Sequence, residues 1–149
     1  MKKNSVYEKL VEFKEKYPMT VAWRLKKHAK IVDKHLNPGE EVLYAFAAQK
    51  NESPLDIFMT YAVVLTNKRI ILAQKRLIFG YFYTAITPDM FNDLTIKMGL
   101  IWGSVHIDTV KEVVKLSNIQ REALDEIETH ITEYMMEEKK EIWKYTSIT

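Results

Sequence analysis

Along the first 36 residues apolar positions recur every three or four places. From about residue 41 the repeat shortens to two, and after residue 117 it lengthens again. Val6, Leu10, Phe13 and Tyr17 form one helical face. Ser5-Val6-Tyr7-Glu8 reads as a capping box, with the serine oxygen and the glutamate satisfying each other's end of the first turn. Pro18 stops this helix, because it has no N–H and disfavours a helical Tyr17. Thr20 is placed to cap a second helix that runs to about Leu36, where Asn37-Pro38-Gly39 turns the chain.

The middle of the chain reads as strands near 41–48, 56–66, 69–75, 79–87, 93–98, 102–108 and 111–116, rich in Val, Ile, Tyr, Phe and Thr. If Asn67-Lys68 is a two-residue turn, Leu65 faces Ile70, Val64 faces Ile71 and Val63 faces Leu72. One sheet face then holds Ile57, Met59, Tyr61, Val63, Leu65, Ile70 and Leu72. The other holds Thr60, Ala62, Val64, Thr66, Arg69, Ile71 and Ala73, and a slip of one residue would mix the two sets. Further on, Leu94, Ile96 and Met98 alternate with Asp93, Thr95 and Lys97, while Val105 and Ile107 face in and Ser104 and His106 face out. Ser117-Asn118-Ile119-Gln120 has the form of a second capping box. Ile119, Ala123, Leu124, Ile127, Ile131, Tyr134 and Met135 follow on one side of a helix, opposite Glu122, Asp125, Glu126, Thr129 and Glu133. The stripe loses phase at Glu137-Glu138. The chain thus divides into a helical pair (1–36), a strand-rich domain closed by a helix (37–135) and a charged extension (136–149).

Composition and charge narrow the functional classes. The 149 residues contain no cysteine, which excludes disulfides and thiolate chemistry. No apolar run reaches the roughly 20 residues of a membrane span, and the charged N-terminus lacks a signal-peptide core, so a cytoplasmic protein is expected. The net charge of +2 conceals a basic block (1–36, +6), a neutral middle (37–116) and an acidic block (117–149, −4).

The order of elements and three local motifs resemble the bacterial pleckstrin-homology (PH) domains, in their YokE-like group, over roughly residues 37–133. The motifs are Asn37-Pro38-Gly39-Glu40-Glu41-Val42-Leu43, the hairpin Val64-Leu65-Thr66-Asn67-Lys68-Arg69-Ile70-Ile71, and Ser104-Val105-His106-Ile107-Asp108-Thr109. The resemblance implies an α+β, mainly β fold: a PH-like seven-stranded sandwich or barrel closed by a C-terminal helix and preceded here by two N-terminal helices. It transfers no catalytic residue. Lipid-binding PH domains of eukaryotes place several Lys and Arg in the loop between the first two strands. Here that loop, Gln49 to Leu55, has one lysine and one glutamate, so inositol-phosphate binding is not inferred.

The residues themselves carry little chemistry. No glycine-rich phosphate loop or HExxH spacing occurs; His28 and His35 read as exposed residues of a basic helix, and His106 and His130 as surface or packing residues. Asp89 and Asp93 read as turn residues rather than an acid/base pair. No enzyme activity, cofactor, metal or small-molecule substrate is expected. Two features point to binding. Val64, Ile71 and Tyr81 share an outer sheet face that either lies beneath the N-terminal helices or contacts another subunit or protein, and self-association through it is expected. On the second helix, Lys26, Lys27, Lys30 and Lys34 share a side with Trp23, which suits weak attachment to an anionic membrane at the inner surface. Nucleic-acid binding by the basic helices is the alternative, weakened by the neutral middle and the lack of a recognised motif. The expected function is a non-catalytic interaction module.

Overall fold

The computed structural model describes residues 5–50 and 59–148, with side chains described through residue 144. Two helices, α1 (Ser5–Lys16) and α2 (Leu25–His35), precede the strands β1 (Val42–Gln49), β2 (Thr60–Thr66), β3 (Ile70–Lys75), β4 (Tyr81–Ile86), β5 (Phe91–Met98), β6 (Trp102–Thr109) and β7 (Val113–Gln120). A short 3-10 turn (Arg121–Ala123) leads into α3 (Leu124–Ile148). The strands form one antiparallel sheet in the order β4-β3-β2-β1-β7-β6-β5, the seven-stranded, helix-closed arrangement expected. Its two halves meet where Gln49 pairs with Ser117. There the Asn118 amide donates to Gln49 Oε1 at 2.6 Å and the Ser117 hydroxyl donates to the Gln49 carbonyl at 3.1 Å.

The register of the 67–68 hairpin is as the pattern requires: Leu65 opposes Ile70, Val64 opposes Ile71 and Val63 opposes Leu72. Its two apolar faces enter two separate cores. Tyr61, Val63, Leu65, Ile70 and Leu72 join Phe46, Ile107, Leu116, Ile127 and Ile131 in the main core, which α3 covers. Ala62, Val64, Ile71 and Ala73 join Val6, Leu10, Ala29, Ile31 and Val32 beneath α1 and α2. That second layer settles the fate of the outer face. Val64 and Ile71 are fully buried by the chain's own helices, so neither can form a subunit contact. Tyr81 remains exposed. Ile57, assigned to the inner face, and the side chain of Ser5 lie outside the described residues.

Both capping assignments fail beyond the first helix. Thr20 caps nothing: its hydroxyl accepts the Gln120 N–H at 2.9 Å, and residues 21–24 are a non-helical link before α2 begins at Leu25. Ser117 and Gln120 belong to β7, and α3 starts only after the 3-10 turn. Met135 is the last fully buried side chain of α3, Lys139 still donates to the Phe91 carbonyl, and the helix continues through Ile148.

The first two motifs of the resemblance meet in space and form a structural clasp. The Glu40 carboxylate, almost wholly buried, accepts from Arg69 Nε at 3.0 Å and Nη2 at 3.1 Å, from the Thr66 hydroxyl at 2.6 Å and from the Asn37 N–H at 3.0 Å. Burial pushes Glu40 up, but the bonds from Arg69, the Asn37 amide and Thr66 outweigh it and hold the carboxyl below its ordinary value. Arg69 also donates to the His35 carbonyl, while the Asn67 N–H donates to the Glu41 carbonyl and the Asn67 side-chain Oδ1 accepts the Glu41 N–H. The Tyr134 hydroxyl donates to the Asn67 carbonyl, which ties α3 to the same turn.

Candidate functional site

Register places two described connections at the opposite end of the sheet. Tyr81 pairs with Lys75, Ala73 with Ala62, Thr60 with Gln49, Gln49 with Ser117, Trp102 with Gln120, and Met98 with Gly103. This end therefore carries the β3–β4 tip (76–80) and the β5–β6 tip (99–101). The connection 51–58, which includes Glu52 and Asp56, joins β1 to β2 and lies outside the described residues.

The segment between α1 and α2 runs along this end and is pinned at each step. Met19 N–H donates to Gln120 Oε1 at 2.8 Å, and Trp102 Nε1–H donates to the Met19 carbonyl at 2.7 Å. Val21 N–H donates to the Asn118 carbonyl, Trp23 N–H to Thr60 Oγ1, and Arg24 Nη1 to the Lys75 carbonyl. Arg24 adopts a left-handed φ of 59°, uncommon for a residue with a Cβ, and so turns the segment into α2.

Apolar side chains stand out here. Ile78 is 76 % exposed, Phe79 81 % and Leu100 89 %, and Leu77, Phe82, Met98, Ile101, Met19 and Trp23 are also exposed. Basic groups lie directly behind them. The Arg76 guanidinium sits 5.1 Å from the Phe82 ring, Arg24 5.8 Å from Trp23, and the Lys50 ammonium 5.4 Å from Tyr61. The stretches 18–24, 75–82 and 97–104 contain Arg24, Lys75, Arg76 and Lys97 and no aspartate or glutamate. Large exposed apolar side chains and basic groups are thus gathered at one end of the sheet among the described residues.

The expected basic side of α2 is present in a modified form. Lys26, Lys27, Lys30 and Lys34 are all exposed, while Ala29, Ile31 and Val32 face the sheet. Trp23 precedes the helix and belongs to the apolar end. No ion pair joins these four lysines to α3 among the described residues; α2 and α3 cover opposite faces of the sheet.

His28 and His35 are not surface residues. His28 is buried, and its Nδ1 accepts the Lys75 N–H at 2.9 Å. Burial is the main reason its pKa drops to about 4; the bond to the Trp23 backbone opposes that shift and the Arg24 charge adds to it. The His35 ring stacks on Tyr83 at 4.0 Å, while its Nδ1 lies 2.7 Å from the Ile31 carbonyl. These histidines fasten α2 to β3 and β4. His130, exposed on α3, stacks on Tyr44 at 4.2 Å. Glu126, expected on the solvent side, instead joins three elements: it accepts from Lys16 at 2.5 Å, Tyr17 at 2.9 Å and Tyr44 at 2.8 Å. Asp89 accepts from the Thr87 hydroxyl, consistent with the turn role. Among the described residues no group of three His, Asp or Glu side chains could hold a metal ion, and no helix is long and apolar enough to cross a membrane.

No protein of curated function matches the chain. Two similar solved structures are a pleckstrin homology domain from Shewanella amazonensis SB2B (17 % identity, 76 % of this chain, 89 % of that one, TM-score 0.49) and a DUF1696 family protein with a pleckstrin-homology domain from Shewanella loihica PV-4 (14 %, 76 %, 98 %, 0.47). The family model for the bacterial PH domain matches residues 36–133, from the entry motif through the packed part of α3, without singling out the YokE-like group. With its own strand order, its clasp of entry motif and hairpin, and that match over most of its length, the chain belongs to the bacterial PH domain family.

Proposed function

We propose that the protein is a non-catalytic interaction module and that it rests on an anionic lipid surface through the end of the sheet bearing the 76–80 and 99–101 tips. One observation supports this above the others: Ile78, Phe79 and Leu100 stand almost fully in solvent beside Arg24, Lys75, Arg76 and Lys97. Apolar tips gain about 25 cal/mol for each Å² they take out of water. Basic residues near an anionic surface add about 1 kcal/mol each at ordinary ionic strength. Trp23 suits the headgroup level, where its ring is sheltered and its N–H stays wet. Lys26, Lys27, Lys30 and Lys34 extend the positive field from this end along α2. On this reading the protein sits peripherally on the inner membrane surface, facing the cytoplasm.

Nucleic-acid binding is not favoured, because α1 and the inner side of α2 are occupied in covering the sheet. A second copy is the competing occupant of the apolar end. Sedimentation with vesicles of phosphatidylcholine alone or with phosphatidylglycerol decides between them. The parent should pellet only with the anionic vesicles and less as salt rises. A Phe79→Ser/Leu100→Ser variant should stay in solution while keeping its circular dichroism. Equal behaviour of parent and variant, or an oligomer in light scattering that the variant converts to a 17.6 kDa monomer, overturns the lipid reading.

A further inference from the structure

Beside the β5–β6 tip the outer face of β5, β6 and β7 hollows into an open groove of about 510 Å³. The groove is a product of register. Lys97 on β5 opposes Ser104 on β6, and His106 on β6 opposes Lys115 on β7. The Gln49–Ser117 pairing brings in Lys50 from the end of β1. The same strands turn Val105, Ile107, Val114 and Leu116 into the core, so alternation alone sends the polar set outward. Lys97 on β5, Lys115 on β7 and Lys50 just beyond β1 thus line one hollow, with the Lys50 ammonium 5.4 Å from the Tyr61 ring. Between them stand the Ser104 hydroxyl and the His106 ring, 3.4 Å apart. No aspartate or glutamate lines the groove, and neither Lys97 nor Lys115 has an ion-pair partner among the described residues.

We infer that this groove binds a phosphate monoester group. Lysines that approach from separate strands can each meet a different oxygen, and a monoester offers three oxygens and close to two negative charges. A carboxylate offers two oxygens and one charge. The volume exceeds that of inorganic phosphate and falls in the range of small-ligand sites, so the group arrives on a larger molecule. Met98 forms one edge of the groove, and Leu100 and Ile101 stand exposed on the adjoining turn. A phosphate held by Lys97 and Lys115 therefore lies next to an apolar support. A monoester lipid headgroup meets both conditions, whereas a free phosphorylated metabolite uses the groove alone. Only the choice of the lipid source rests on the membrane reading above.

Two arms separate these sources. In the first, NMR spectra of the whole protein are recorded with glycerol phosphate, for the parent and for Lys97→Gln/Lys115→Gln. Both lysines are exposed on the strand surface, so the variant keeps the fold. Saturable shifts at Ser104, His106 and Lys115 in the parent, weakened on the order of ten-fold in the variant, are expected. In the second arm, sedimentation compares vesicles carrying phosphatidic acid with vesicles carrying phosphatidylglycerol at equal surface charge. The parent should prefer phosphatidic acid, and the variant should lose that preference while keeping its weaker attachment to both. Shifts with glycerol phosphate but no vesicle binding support the groove and reject the lipid surface. No shifts and no preference for phosphatidic acid, or a variant that matches the parent in both arms, overturn the groove.

Discussion

At the end of the sheet that holds the 67–68 turn, polar side chains close on one another; at the end that holds the 76–80 and 99–101 turns, apolar side chains stand in solvent. In the first, Glu40, Arg69, Thr66, Asn67 and Tyr134 satisfy each other and the local backbone, and α3 is tied down over them. In the second, the backbone of the 18–24 segment is just as fully bonded, yet Phe79 and Leu100 stand largely in solvent. A folded protein gains nothing in isolation from such exposure. Under the proposed function, the contrast assigns stability to one end and association to the other.

Breaking the clasp should have the largest effect. Arg69→Met leaves the Glu40 carboxylate buried without its main partner, a change expected to cost about 3–5 kcal/mol. Adding Glu40→Gln removes the stranded charge and should recover part of that loss. Urea unfolding of the single and double variants measures both, and a single variant as stable as the parent would remove the clasp from the account. Close behind come Ile127→Ala and Ile131→Ala, each fully buried on the inner face of α3, at about 2–5 kcal/mol. A cost of a few tenths would mean that α3 does not seal the main core.

His28 gives a smaller, pH-dependent effect that separates the second layer from the clasp. Its pKa is about 4 in the folded protein and 6.5 when unfolded. Between these values the unfolded chain binds a proton that the folded chain refuses, so stability falls as pH drops from 6.5 to 4. The full window is worth about 3 kcal/mol. Glu40 and Glu126, both held below their ordinary values, lose stability in the same direction at lower pH. The test is therefore a difference: His28→Asn keeps an acceptor for the Lys75 N–H but cannot titrate. Its stability should fall less steeply than the parent's across this window. Parallel curves would mean that His28 is not a buried neutral ring.

Much of the fold was legible in the chain because strand faces repeat every two residues. The two apolar faces of residues 60–73 identified the register and also required a layer on each side. What covered the outer layer was not legible. The same apolar Val64 and Ile71 suit a helix of the chain or a second subunit, and only the packing of Val6, Leu10 and Val32 decides. The capping pattern misled at Thr20 and Ser117 because the hydroxyls bond across about a hundred and about seventy positions, to Gln120 and Gln49, instead of to their own next turn. The apolar end and the groove were each scattered through the sequence. Leu77-Ile78-Phe79 form an apolar run in the chain, but Leu100-Ile101, Met19 and Trp23 join it only through the strand order. Lys97, His106 and Lys115 fell on outward positions by alternation, and their meeting depends on two registers and a bulge in β7 opposite Ser104.

Amide hydrogen exchange of the whole protein, with and without phosphatidylglycerol vesicles, tests the division between the two ends most directly. The account predicts slowed exchange at residues 76–80 and 99–101 and around Trp23, with residues 37–41 and 67–69 unchanged. Protection confined to the 37–41 and 67–69 end, or no difference between the ends while the protein is vesicle-bound, would contradict it.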